Sequence, residues 1–89
     1  MQVVRMKKAV RLGLLTEALQ GEESFVKRGF TAKKSADSLL VERDGHVRGI
    51  WTIAKDRFIW TAGGYSQPSF STASLREALE YTLTEISKR

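Results

Sequence analysis

The pair Asp44-Gly45 constrains the fold of this chain more than any other feature, because it separates two runs that are typical of β-strands. Residues 38–43 read Ser-Leu-Leu-Val-Glu-Arg, and residues 46–53 read His-Val-Arg-Gly-Ile-Trp-Thr-Ile. A two-residue type I′ turn requires positive φ at both central positions, which Asp tolerates and Gly adopts freely. The sequence therefore predicts a tight β-hairpin. Its predicted pairs are Arg43 with His46, Val41 with Arg48, Leu39 with Ile50 and Ser38 with Trp51.

A second reversal is predicted at Lys55-Asp56, between residues 51–54 and residues 57–61, although neither turn residue is Gly. The predicted pairs are Ile53 with Phe58 and Trp51 with Trp60. Alternation along these strands predicts two faces. The core face is predicted to hold Leu40, Val47, Gly49, Trp51, Ile53, Phe58, Trp60 and Ala62. The opposite, mixed face is predicted to hold Leu39, Val41, Arg43, His46, Arg48, Ile50, Thr52, Ile59 and Thr61.

Helical spacing marks both ends of the chain. Near the amino terminus, a helix is predicted over about residues 7–20, ending near Gly21. Apolar side chains at helical spacing run through residues 2–20: Val3, Met6, Val10, Leu14, Leu15, Ala18 and Leu19. Residues 2–6 fit either a helix or a short strand.

Near the carboxyl terminus, Ser74 and Glu77 form a capping box, which predicts a helix that covers the two tryptophans. Its apolar stripe is Leu75, Ala78, Leu79, Thr82, Leu83 and Ile86.

The remaining segments complete a single α+β domain over residues 1–89. Residues 24–33 are predicted to form a strand, and residues 62–69, rich in Gly, Ser and Pro, a loop. The order of elements is helix, four strands, helix. This order indicates an antiparallel meander sheet of three to four strands packed against a C-terminal helix, with an N-terminal helix.

The net charge of +5 suggests a polyanionic partner, because the surplus lies in the first 36 residues. Those residues hold eight Lys or Arg against three Glu, whereas the rest of the chain is balanced at seven against seven. The first functional hypothesis is a small basic module that binds DNA or RNA phosphates with its N-terminal half. The candidate residues are Arg5, Lys7, Lys8, Arg11, Lys27, Arg28, Lys33 and Lys34. The alternative for these side chains is a solvated surface.

Trp51 and Trp60 allow two interpretations. They could stack unpaired bases on the sheet, or pack beneath the terminal helix, and the need of that helix for an apolar partner favours the core.

The second functional hypothesis is a protein-interaction or homodimerisation module that uses the mixed face. Its predicted apolar patch is Leu39, Val41, Ile50 and Ile59.

Catalysis and metal binding are not indicated by the sequence. His46 is the single histidine, it flanks a turn, and the chain has no cysteine for thiolate metal sites or disulfides. We therefore expect no enzymatic activity, no cofactor and no metal.

The first apolar stretch is interrupted by Arg11 and Glu17, and no run approaches the ~20 apolar residues that span a bilayer. We expect a cytoplasmic protein without a membrane partner.

Overall fold

The fold was analysed in a computed structural model that describes residues 8–88. Within that range the chain forms three helices and one five-stranded sheet, and the α+β class is confirmed. The elements are α1 (Lys8–Gln20), α2 (Glu23–Lys27), β1 (Phe30–Lys34), β2 (Ser38–Arg43), β3 (His46–Ala54), β4 (Arg57–Ala62), β5 (Phe70–Thr72) and α3 (Leu75–Ser87). The sheet is an antiparallel meander in the order β1-β2-β3-β4-β5. The open choice of helix or strand for residues 2–6 lies outside the described residues.

Both predicted hairpin turns are confirmed. Asp44 and Gly45 have φ values of 54° and 78°, and Arg43 pairs with His46. Lys55 and Asp56 also have positive φ, at 51° and 63°. The second turn therefore reverses the chain in the same way as the first without a glycine. Its predicted pairs, Ile53 with Phe58 and Trp51 with Trp60, are the observed ones.

A β-bulge makes the predicted register of the first hairpin wrong beyond the turn. Glu42 pairs with Val47, whereas Val41 pairs with Gly49, so Arg48 is an extra residue on β3. The predicted pairs of Val41, Leu39 and Ser38 are each displaced by one residue. Leu39 pairs with Trp51 and Ser38 with Thr52. One added residue inverts the alternation of every later position on that strand pair.

The inverted alternation exchanges residues between the predicted faces. Leu39 and Val41 are buried in the core, although they were expected on the mixed face. Leu40 and Val47 were expected in the core, but Leu40 is only partly buried and Val47 is exposed. Arg43 also lies on the core side, where its guanidinium is 5.3 Å from the centre of the Phe30 ring.

Two short elements differ from the prediction. Residues 24–33 were expected to form one strand, but α2 occupies Glu23–Lys27 and β1 begins at Phe30 and continues to Lys34. The reason is a turn at Gly29, with φ of 84°, which brings the Phe25 ring to 5.6 Å from the Phe30 ring. The predicted loop is confirmed over residues 63–69, and it leads into the unpredicted strand β5.

All three helices lie on the face of the sheet that carries Trp51 and Trp60. Both tryptophans are buried, with 0% and 1% of their surface exposed, so the core interpretation is confirmed and base stacking by these rings is wrong. Trp51 Nε1 donates a hydrogen bond to Thr82 Oγ1 of α3 at 2.8 Å. Gly49 lies two residues before Trp51 on β3 and leaves space for the Trp60 ring. A Cβ at this position would lie 2.0 Å from two carbons of that ring.

The predicted buried stripe of α1 is confirmed at Leu15 and Leu19 and wrong at Val10 and Leu14, and Leu12 is buried in addition. Leu12, Leu15 and Leu19 are fully buried, whereas Val10 and Leu14 are 50% and 39% exposed. Apolar residues lie on more than one side of this helix, so its sequence alone does not define which side meets the sheet. The exposed Val10 and Leu14 leave part of α1 apolar on the surface.

The capping box of α3 is confirmed in its first half only. The Ser74 side chain accepts a hydrogen bond from the Glu77 backbone N–H at 3.1 Å. The Glu77 carboxylate does not return the bond to Ser74, because it accepts from the Thr72 hydroxyl instead. The Ser74 backbone N–H then donates to Thr72 Oγ1 at 3.0 Å. Thr72 therefore links the end of β5 to the start of α3.

Candidate nucleic-acid interface

Arg11 fixes the start of α1 against two other segments. Its guanidinium donates from Nη1 to the Asp56 carbonyl at 2.7 Å and from Nη2 to the Ala73 carbonyl at 3.1 Å. The same group lies 4.6 Å from the centre of the Phe58 ring. Three contacts of this kind make Arg11 a structural residue, although its charge stays near the surface. They place the first turn of α1 beside the β3–β4 turn and the connection from β5 to α3.

The segments that Arg11 contacts carry several cations that are far apart in the sequence. Lys55 and Arg57 flank Asp56, and Arg76 lies in the first turn of α3, three residues after Ala73. Lys34 is at the same end of the sheet, because it pairs with Leu39 next to the β1–β2 connection. We call this set the α1 end of the molecule. It consists of Arg11, Lys34, Lys55, Arg57 and Arg76.

The α1 end is not a bare cationic patch. Asp37, Asp56 and Glu77 lie in its turns and helix start, and Arg76 forms an exposed ion pair with Glu80 at 3.6 Å. Arg57 donates to the Ser71 carbonyl across the β4–β5 pair at 3.2 Å. Lys55 is exposed in its turn. Exposed pairs such as Arg76–Glu80 contribute ~0–1 kcal/mol and break easily, so these cations are accessible to a phosphate.

Most of the excess positive charge of the chain comes before α1 in the sequence. Residues 9–88 hold eleven Lys and Arg against ten Asp and Glu, which leaves them close to neutral. Arg5, Lys7 and Lys8 come before Ala9 without any acidic residue among them. Of these three predicted site residues, Arg5 and Lys7 lie outside the described residues, as does the side chain of Lys8. In sequence they lead directly into the first turn of α1.

Of the predicted site residues that follow α1, the structure brings Lys34 to the α1 end with Arg11 but not Lys27, Arg28 or Lys33. Lys27 forms an exposed i,i+4 ion pair with Glu23 in α2. Arg28 donates to the Ile86 carbonyl near the end of α3 at 3.4 Å. Lys33 and Lys34 point to opposite faces of β1, because they are adjacent in a strand. Lys33 lies 4.0 Å from Glu42 on the face without helices.

Lys55, Arg57 and Arg76 are the surface cations that sequence reasoning missed. They belong to the part of the sequence that is balanced in charge, so composition gave no reason to select them. The turn at Lys55-Asp56 and the capping box of α3 locate each of these residues within its own element. Only the packing of α1 across the sheet brings these elements to Arg11, and that packing depends on which stripe of α1 is buried.

The described residues offer little for chemistry beyond charge contacts. Within residues 8–88 no three His, Asp or Glu side chains are grouped in a way that could hold a metal ion. A cleft of about 200 Å³ beside Arg11 has mainly apolar walls, formed by Leu14, Phe58, Ala73 and Leu75. No helix in this part of the chain is long and apolar enough to cross a bilayer. The arrangement is suited to binding by point charges, which tolerates imprecise geometry.

Comparison of the chain with protein-family models, with curated proteins and with solved structures finds no match.

Proposed function

We propose that this protein is a small nucleic-acid-binding module that contacts phosphates through its basic N-terminal segment and the α1 end. The observation that supports the proposal is the position of the charge. Residues 9–88 are almost neutral, and the three cations of residues 5–8 come directly before α1 in the sequence. Within α1, Arg11 donates hydrogen bonds to backbone carbonyls beside Lys55, Arg57 and Arg76. Phosphate contacts require point charges that a strand of regularly spaced anions can meet.

The binding is expected to be independent of sequence. No aromatic side chain is available at the α1 end for base stacking, because Phe58, the ring nearest to Arg11, is buried. Base-edge recognition requires side chains that a helix or a strand inserts into a groove, and the cations here lie in a turn, at strand ends and in the first turns of helices. Contacts with phosphate alone position a protein on nucleic acid without reading its sequence.

The test is the dependence of affinity on salt, measured by fluorescence anisotropy with a duplex DNA and a single-stranded RNA of unrelated sequence. Each phosphate contact to duplex DNA contributes about −0.9 to the slope of log K against log[salt]. A variant with Arg5→Gln, Lys7→Gln and Lys8→Gln is expected to reduce the magnitude of the slope by about 2.7. A variant with Lys55→Gln and Arg76→Gln is expected to reduce it by about 1.8.

A matched control is available at the other end of the molecule. Lys27 and Lys88 are exposed, and neither lies at the α1 end. Lys27 forms an ion pair with Glu23, and Lys88 forms one with Glu85. The variant Lys27→Gln with Lys88→Gln removes the same charge as the second test variant, and it is expected to leave the slope unchanged. If the two double variants reduce the slope equally, net charge alone drives binding and the α1 end is not the contact site. No binding to either probe at ~50 mM salt would refute the proposed function.

A further inference from the structure

One face of the sheet is not covered by any helix or strand of residues 8–88. The helices α1, α2 and α3 pack on the side of Phe30, Trp51 and Trp60. On the opposite side, Leu40 pairs with Ile50, Ile50 with Thr61, and Thr52 with Ile59. We call this side the open face. Its centre consists of Leu40, Ile50, Thr52, Ile59 and Thr61.

The centre of the open face carries no charge. Each of its five residues is partly exposed, and three of them are large and aliphatic. The charged residues that share the face lie around this centre: Lys33 and Glu42 lie towards the β1 edge, Arg57 lies at the start of β4, and the partly buried Arg48 precedes Ile50 by two residues on β3. An uncharged, aliphatic centre inside a charged rim is the usual composition of a protein–protein interface.

The composition argues against nucleic acid as the partner for this face. The centre offers neither cations for phosphates nor aromatic rings for bases. Leu39 and Val41, which the sequence assigned to an interaction patch, are in the core instead. Leu40 takes their place beside Ile50 and Ile59 on the surface. The resulting patch is narrower than the predicted one, and it lies in the middle of the sheet.

We propose that the open face pairs with the open face of a second copy of this chain, around a two-fold axis that lies between them. The five strands give the face a width of about 24 Å, and their average length of about six residues corresponds to about 20 Å. The projected area is therefore about 480 Å², and the accessible area of the pleated surface is larger. Two such faces bury an area at the low end of the range for specific interfaces, which corresponds to a weak, reversible dimer.

The charged rim is compatible with this symmetry. Glu42 and Arg57 lie on different sides of Ile50, on β2 and on β4. A two-fold axis in the interface between these positions places Glu42 of each copy opposite Arg57 of the other. The same rotation places the aliphatic centre over its own equivalent. A self-complementary surface of this kind needs no further partner.

The oligomeric state tests this proposal, measured by sedimentation equilibrium from about 1 μM to about 1 mM protein without nucleic acid. The wild-type chain is expected to form a dimer with a dissociation constant of about 1–100 μM. The variant Ile50→Lys is expected to weaken the dimer at least about tenfold, because it buries an unpaired charge at the centre. The control Val26→Lys changes an exposed aliphatic residue on α2 and is expected to leave the constant unchanged.

A charge exchange separates the proposed interface from a general loss of folding. Glu42→Arg is expected to weaken the dimer, and Glu42→Arg combined with Arg57→Glu is expected to restore it. Far-ultraviolet circular dichroism of each variant confirms that the monomer is folded. A wild-type chain that stays monomeric up to about 1 mM would overturn the proposal, as would a double variant that remains as weak as Glu42→Arg alone. Nucleic-acid binding by a strictly monomeric chain would leave the proposed function intact and remove only the dimer.

Discussion

Substitution of Thr82 by Val tests the hydrogen bond that ties the centre of the sheet to α3. Thr82 Oγ1 accepts from Trp51 Nε1 at 2.8 Å, and both residues are fully buried. Val has the shape of Thr but no acceptor, so the indole N–H is left in the core without a partner. A buried donor left unpaired in this way costs about 1–3 kcal/mol. We expect the free energy of unfolding to fall by about 2 kcal/mol.

Thr82→Ser is the matched comparison, because it keeps the hydroxyl and removes one methyl group. Loss of a buried methyl costs about 1 kcal/mol, so the Ser variant is expected to be more stable than the Val variant. The total stability of a chain of this length is roughly 4–13 kcal/mol. A loss of about 2 kcal/mol is therefore easily measured by urea unfolding followed by tryptophan fluorescence, and it lowers Tm by about 8–16 °C.

A double-mutant cycle with Trp51→Phe isolates the hydrogen bond from the packing of the side chain. Phe has no N–H, so Thr82→Val is expected to cost little in that background, and Trp60 remains as the fluorescent reporter. The coupling free energy between the two positions should be about 1–2 kcal/mol. If Thr82→Val has the same cost with Trp51 and with Phe at position 51, the hydrogen bond does not stabilise the fold and the reasoning is refuted.

Three further substitutions probe the turns and contacts described above, each measured by urea unfolding. Gly49→Ala is expected to destabilise by about 1–3 kcal/mol because its Cβ would lie 2.0 Å from the Trp60 ring, and combining it with Trp60→Phe should recover part of that loss. Lys55→Gly is expected to stabilise by about 0.5–1 kcal/mol, since it relieves a φ of 51° at an exposed turn residue; a loss of stability would contradict this. Ser74→Ala is expected to cost about 1 kcal/mol, and an unchanged unfolding midpoint would show that Thr72 alone caps α3.

The strand pairing could be read from the sequence only as far as local chemistry defines it. Asp44-Gly45 fixed the first turn correctly because positive φ at two successive positions has a strong residue preference. The bulge at Arg48 has no such preference, and the run Leu39-Leu40-Val41 is apolar on both faces. The hydrophobic pattern therefore could not distinguish the predicted register from the observed one, and the error placed Leu40 in the core.

The helices show the same division between local and distant causes. Ser74 and the clear apolar stripe of α3 predicted both its start and its buried side. The buried side of α1 depends on the shape of the sheet, because Val10 and Leu14 are as apolar as Leu12 and Leu15. The surroundings of Arg11 depend in turn on that packing, so the positions of Lys55 and Arg76 at the α1 end could not be predicted from the sequence.

The two outermost strands have a consequence for how the protein behaves when concentrated. An unpaired strand edge is a template on which a further strand can add, and repeated addition leads to fibrils. The edge strand β1 ends in Lys33 and Lys34, and the edge strand β5 has only three residues and closely follows Pro68. Repulsion between lysines on one side and a template too short to hold a strand on the other both disfavour lateral growth. The architecture thus confines self-association to species of finite size.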